Sequence, residues 1–128
     1  MKRLILDTQA LLWWLTDNEK LGPNTRALIS NGNNRVFISP VTVWELLLKK
    51  QQGHIKGLPE MHQLIEEEGF EELAIDAYHI QFAAGYKFSR NAPFRSVLMA
   101  QTQTEGATLI TTDHKFAQLG IRTWDARR

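Results

Sequence analysis

Two short apolar runs, Leu4-Ile5-Leu6 near the start and Leu109-Ile110 near the end, each give way to aspartate and threonine and then to helical spacing. A strand that is apolar on both faces must be covered on both sides, as happens in a parallel sheet flanked by helices. The pattern between them repeats that alternation. Val36-Phe37-Ile38 is a second strand closed by Ser39-Pro40, residues 70–75 a third, and residues 121–124 a last one after the Leu109-Ile110 strand. Helical spacing covers residues 9–15, 23–29, 41–52, 59–68, 77–86 after an Asp76 cap, and 93–104, with a short helix around Phe116. Strands alternating with helices predict an α/β fold of three layers: a central, mainly parallel sheet of four to five strands flanked by helices. The 128 residues fit one such domain, spanning 1–128.

In a sheet of this kind ligands bind outside the carboxyl ends of the strands. Asp7 sits at that end of the first strand and Asp113 at that end of the fourth. Each also has a plain structural reading. Asp7 is placed to cap the following helix, and Thr112-Asp113-His114 suits an Asx-turn or a cap of the short helix. Glu45 is different, because Val41, Glu45 and Leu48 fall on one face of the third helix. A carboxylate on an apolar face is costly unless it is paired or binds a metal. An ion pair with Lys49, four residues on, would account for it equally well. Trp44, Leu46 and Leu47 leave the facing of this helix open.

Convergence of the three acids has its own consequence. Like charges about 4 Å apart repel by on the order of 4 kcal/mol at an effective dielectric near 20. Such a cluster needs a cation, and hard oxygen donors suit Mg²⁺ or Mn²⁺. Ions of this type activate water and stabilise the leaving oxygen of a phosphodiester.

Composition narrows the alternatives. There are no cysteines, which excludes disulfides, thiolate metal sites and cysteine nucleophiles, and suits a reducing cytoplasm. No apolar run is long enough to cross a bilayer, and the Leu4-Ile5-Leu6 stretch meets Asp7 too soon to serve as a signal peptide. A soluble cytoplasmic protein is expected. The formal charge of +1 provides no bulk attraction for nucleic acid, so any such site rests on a local basic patch. No glycine-rich phosphate loop follows the first strand, which disfavours a nucleotide-binding module.

These residues resemble the PIN domain family, in particular VapC toxins of toxin–antitoxin pairs. The resemblance is carried by Leu4-Ile5-Leu6-Asp7-Thr8-Gln9-Ala10-Leu11-Leu12-Trp13-Trp14, Ile38-Ser39-Pro40-Val41-Thr42-Val43-Trp44-Glu45-Leu46, Ala92-Pro93-Phe94-Arg95-Ser96-Val97-Leu98-Met99-Ala100-Gln101 and Leu109-Ile110-Thr111-Thr112-Asp113. It implies a metal-dependent endoribonuclease with a small antitoxin partner, an RNA substrate and a homodimeric state. It also implies that Asp7, Glu45 and Asp113 are catalytic and metal-binding residues for Mg²⁺ or Mn²⁺. At the remaining acidic position the family typically reads Asp-Pro-Phe-Asp-Arg, whereas this chain has Ala92-Pro93-Phe94-Arg95-Ser96. The metal-site acid therefore aligns with Arg95.

That replacement moves the local charge by two units and removes an oxygen donor. A guanidinium stays protonated and offers a fork of donors, so Arg95 is expected to bridge to Asp7, Glu45 or Asp113 and supply positive charge there. The opposing expectation is that Arg95 swings to solvent and the three acids hold one ion weakly. A degenerate domain that binds antitoxin or RNA with weak or no turnover is the alternative function. Thr8, Arg90, Arg95 and Thr111 are candidate substrate contacts; as hydroxyls at strand ends, the threonines also suit local turns. Lys49, Lys50, Lys56 and Lys87 complete the basic candidates, each of which also suits a solvated face. Trp13 and Trp14 point in adjacent helical directions, so one is expected to face a dimer or antitoxin surface. The four histidines show no metal-ligand spacing.

Overall fold

The structure is a computed structural model that describes residues 1–86 and 93–128. Five strands form one parallel sheet, β1 (Arg3–Leu6), β2 (Arg35–Ile38), β3 (Glu71–Glu72), β4 (Thr108–Thr111) and β5 (Thr123–Asp125), in the order β3-β2-β1-β4-β5. All four pairings are parallel; Ile5 lies opposite both Phe37 and Leu109. Helices α1 (Thr8–Leu15), α2 (Pro23–Ser30), α3 (Pro40–Gln51), α4 (Met61–Glu67), α5 (Ala77–Ala83), α6 (Pro93–Thr104) and α7 (Lys115–Gln118) complete the described chain. The expected three-layer α/β architecture is what is found.

Alternation along the strands divides the core in two. Leu4, Leu6, Val36, Ile38 and Ile110 pack on one face with Leu11, Leu46, Leu64 and Ile65. Ile5, Phe37 and Leu109 pack on the other with Val41, Leu98, Met99 and Phe116. Leu46, on α3, is fully buried, so Leu46→Ala leaves a cavity. We expect it to cost about 2–5 kcal/mol in urea unfolding, as such truncations do; a loss of a few tenths would contradict this placement.

The chain order of the sheet makes a site. From β1 the chain moves outward through β2 and β3, then returns to the other side of β1 as β4. The direction of winding therefore reverses between β1 and β4, and a crevice opens beyond their carboxyl ends.

Three sequence expectations are corrected. The third strand, expected over 70–75, pairs only at Glu71 and Glu72. Beyond them Leu73 N–H still bonds to the Ile38 carbonyl (2.9 Å), but the Leu73 and Ala74 carbonyls accept from the buried Gln101 amide instead of a strand (3.0 and 3.4 Å). The fourth helix starts at Met61 rather than at residue 59, because the Glu60 carboxylate caps it through the His62 and Gln63 N–H groups (2.9 and 2.8 Å). The last strand is 123–125 rather than 121–124.

The tryptophans are also placed differently. Trp13 is buried, and Trp14 packs against the same core. The Trp14 ring lies 6.0 Å from Phe70, and its indole N–H donates to Glu68 Oε2 at 3.2 Å. Adjacent directions on α1 both meet protein because the end of α4 covers the flank of the helix. The exposed tryptophan is Trp44, 57% accessible, edge-on to Phe94 at 4.8 Å.

Candidate active site

Asp7, the residue after β1, caps α1, with Oδ1 accepting the Ala10 N–H at 2.8 Å. Its other oxygen, Oδ2, accepts the Thr111 hydroxyl at 2.5 Å. The same Thr111 oxygen accepts the Asp113 N–H at 3.0 Å. One threonine at the end of β4 thus ties the loop carrying Asp113 to Asp7, and a turn-forming hydroxyl also orients an acid. Capping and cleft placement of Asp7 are both realised: capping fixes its rotamer, and the end of the strand sets its location.

Asp7 is nearly buried, and burial pushes its carboxyl above the ordinary range. Hydrogen bonds from Thr111 and from the Ala10 and Thr112 backbones oppose that rise, while the nearby Glu45 charge adds to it. Glu45 on α3 is half-buried, and its Oε1 accepts the Thr8 hydroxyl at 3.0 Å. The alternative pairing of Glu45 with Lys49 is not formed. Among the described residues neither Asp7 nor Glu45 has an ion-pair partner.

Asp113 is held differently. Its Oδ1 accepts the Lys115 N–H at 3.0 Å, the expected Asx-turn, and its Oδ2 lies 3.3 Å from Arg95 Nη2. Arg95 stands in the first turn of α6 and turns toward the acids rather than out to solvent. Of the two expectations for this residue, bridging is the one found, and its partner is Asp113.

Asp7, Thr8, Glu45, Arg95 and Asp113 line one cleft of about 180 Å³, with Gln9, Lys49 and Thr112. Among the described residues, however, no three acidic or histidine side chains stand close enough to share an ion. Thr111 acts from beneath, through Asp7. Arg90, Lys87 and Ala92 lie outside the described residues. Lys50 lines a different groove, near Pro59 and Met61, and Lys56 is exposed. Gln9 and Thr112 also line the cleft, and their only signal in the sequence is adjacency to Thr8 and Asp113. The one buried histidine, His79, is structural: its Nδ1 accepts the Asp76 N–H at 3.2 Å and so completes the cap of α5.

The PIN domain family model matches residues 4–121, a span running from β1 past the end of α7. The chain belongs to the PIN domain family. Several solved structures share this fold. The VapBC2 complex of Rickettsia felis bound to a DNA fragment from its promoter aligns with a TM-score of 0.63 and 16% identity, over 96% of this chain and 99% of that one. A toxin–antitoxin complex from Klebsiella pneumoniae aligns at 0.66 and 17% identity, over 96% and 97%. FitAcB from Neisseria gonorrhoeae aligns at 0.58 and 16% identity, over 96% and 97%. No curated protein matches the chain. Among the described residues no helix is long and apolar enough to cross a membrane.

Proposed function

We propose that this PIN domain, spanning 1–128, is a VapC-like endoribonuclease, the toxin half of a toxin–antitoxin pair, hydrolysing RNA phosphodiesters in the cleft of Asp7, Glu45 and Asp113. The observation that carries the reading is the Asp7–Glu45 pair. Two carboxylates face one cleft at the winding reversal of the sheet, with no cation paired to either among the described residues. Oxygen-only donors in mutual repulsion fit a hard divalent cation, Mg²⁺ or Mn²⁺, and Asp7 and Glu45 are the residues that would hold it. Such an ion supplies Lewis acidity toward the phosphate and toward the attacking water.

The chain's own groups do the rest. Thr111 and the Ala10 N–H hold Asp7 in one rotamer, and Thr8 orients Glu45, so neither acid needs to reorganise when substrate arrives. Lys49 and Arg95, which both line the cleft, meet the phosphate charge. No histidine lines this cleft, so proton transfer falls to a carboxylate.

The partners follow from the same reading: a small antitoxin, a second copy of the chain, and a cytoplasmic setting. Their support is the toxin–antitoxin complexes of matching shape and an exposed apolar face on α5, where Tyr78 and Phe82, four residues apart, are 63% and 38% accessible. The second reading, a degenerate domain that binds without turnover, is favoured by one observation, the Arg95–Asp113 pair where the family carries two acids.

Cleavage of a mixed RNA substrate separates the two. The purified protein is expected to cut in Mn²⁺, to stop in EDTA, and to lose about a hundredfold or more on Glu45→Gln, the low end of what a positioned carboxylate contributes. Unchanged cleavage by Glu45→Gln would contradict the proposed site; silence of the parent alongside activity of Arg95→Asp would establish the degenerate reading.

A further inference from the structure

The Asp113 end of the cleft is already neutralised by the chain itself. Arg95 Nη2 approaches Asp113 Oδ2 to 3.3 Å, and the two side chains are 43% and 23% exposed, so the pair is partly shielded from water. Arg95 comes from α6, whose next turn is anchored by the buried Leu98, Met99 and Ala100. Asp113 is anchored by its backbone bond to Thr111 and by the Lys115 N–H. Both partners are thus delivered to each other from fixed backbone. Together with Thr112 they line the carboxylate cleft on one side and a second recess of about 480 Å³, reaching His114 and Lys115, on the other. The pair is the wall between the two.

Charge counting then distinguishes the two ends. Among the described residues, with every group ionised, the cleft sets the three carboxylates Asp7, Glu45 and Asp113 against the two cations Lys49 and Arg95, leaving one negative charge. One divalent ion turns that into one positive charge, enough to attract a phosphodiester. An aspartate at position 95 would leave three negative charges, and two divalent ions would be needed to reach the same balance. A second ion beside Arg95 would have to displace the guanidinium from Asp113 or sit against it, and like charges at about 4 Å repel by on the order of 4 kcal/mol or more, since the ion is doubly charged.

Resting on the reading of this cleft as a nuclease site, we infer that Arg95 replaces one cation: the chain binds a single divalent ion, at the Asp7–Glu45 end, and the guanidinium holds Asp113 outside its ligand set. Arg95 is therefore a positioning residue for Asp113 and a built-in countercharge.

The test is the number and affinity of Mn²⁺ ions bound by the full chain, read by electron paramagnetic resonance of free Mn²⁺ and by calorimetry, without RNA. The parent is expected to bind one ion, Asp7→Asn to lose it, and Asp113→Asn to keep it within about threefold, since a carboxylate outside the ligand set does not tune affinity. Arg95→Asp is expected to bind a second ion or to bind the first at least about tenfold tighter. In an Arg95→Gln background, which frees Asp113 without adding a ligand, Asp113→Asn is expected to weaken binding by about fivefold or more, a coupling that a merely structural role of Arg95 would not produce. Two ions in the parent, none in the parent, or equal loss on Asp113→Asn and Asp7→Asn would overturn the inference. An RNA assay that stays silent for every variant, with the ion count as expected, would sink the nuclease reading and leave this one standing.

Discussion

Asp7→Asn is expected to abolish metal-dependent RNA cleavage and, at the same time, to make the protein more stable. The activity loss is expected to be at least about a hundredfold, because the substitution removes an anionic oxygen donor from the pair that faces the cleft. The stability gain has a separate cause. Asp7 is nearly buried, and burial is the main reason its carboxyl lies above the ordinary value of 3.8. A carboxyl that holds its proton more tightly folded than unfolded contributes most to stability at low pH. That contribution is lost as pH rises from the unfolded value through the raised folded one, and at neutral pH the charged form is a net cost. Asparagine is neutral throughout, caps a helix as well as aspartate does, and can keep the Ala10 N–H on its oxygen while its amide donates to Thr111.

Stabilising substitutions of this general kind are worth about 1 kcal/mol, or roughly 3–6 °C in Tm for a domain of this size. The check is a pair of melting curves in EDTA. The variant should melt above the parent at pH 7.5, and the gap should close as pH falls toward 4. A variant less stable than the parent at pH 7.5 would contradict the placement of Asp7 as a strained functional acid and favour a purely capping role.

The second large effect concerns a residue outside the cleft lining. Gly22 has an ordinary helix-entry backbone, φ −68° and ψ 159°, so alanine is conformationally acceptable there. Space is not. A Cβ at Gly22 would stand 2.0 Å from the Arg128 carbonyl carbon and 2.4 Å from the Arg127 oxygen, both backbone. Residues 126–128 lie across the start of α2, where Gly22 N–H bonds to Ala126 (2.9 Å) and the Asn24 and Thr25 N–H groups bond to Arg128 (2.9 and 3.3 Å). Gly22→Ala must push this segment off. Three hydrogen bonds at about 1 kcal/mol each give a loss of roughly 3 kcal/mol, and we expect Tm to fall by roughly 10 °C. Gly32→Ala, where nothing lies within 4 Å of the added carbon, is the control. A Gly22→Ala protein that melts with the control would show that the segment is not docked as described.

These two residues mark where the sequence was legible and where it was not. Asp7 was readable because a buried parallel strand is a continuous apolar run, and the polar residue that ends such a run is local information. Most of the helices were readable through their apolar spacing and their caps. Gly22 was not: Gly22-Pro23 looks like any helix start, and the segment that fills the space above it lies a hundred residues away. β3 was misjudged in extent because its pairing residues are two glutamates, with no apolar pattern. Its place at the sheet edge is set by pairing with β2, reinforced by Arg35 gripping Glu71 through two bonds of 2.9 and 2.7 Å. Trp13 and Trp14 were misjudged because helical direction says nothing about what covers a helix's flank. The convergence of Asp7, Glu45 and Asp113 on one cleft is legible from strand ends and one helix face. The position of Arg95 is legible through the resemblance, but its pairing with Asp113 rather than the other two acids depends on how α6 is placed in three dimensions, which no local pattern encodes.

The chemistry of the cut ends separates attack by water from attack by the RNA 2′-hydroxyl. On the proposed reading, in which Asp7 and Glu45 hold a divalent ion that activates water, the attacking group is water and the RNA 2′-hydroxyl is a bystander. RNA treated with the purified protein in Mn²⁺ should carry linear monophosphate and hydroxyl ends, and 2′-O-methyl substitution at the cleaved nucleotide should leave the scissile bond reactive. Cleavage that persists in EDTA and leaves 2′,3′-cyclic phosphates would mean that the 2′-hydroxyl attacks, and the account of this cleft as a carboxylate-based PIN nuclease would be wrong.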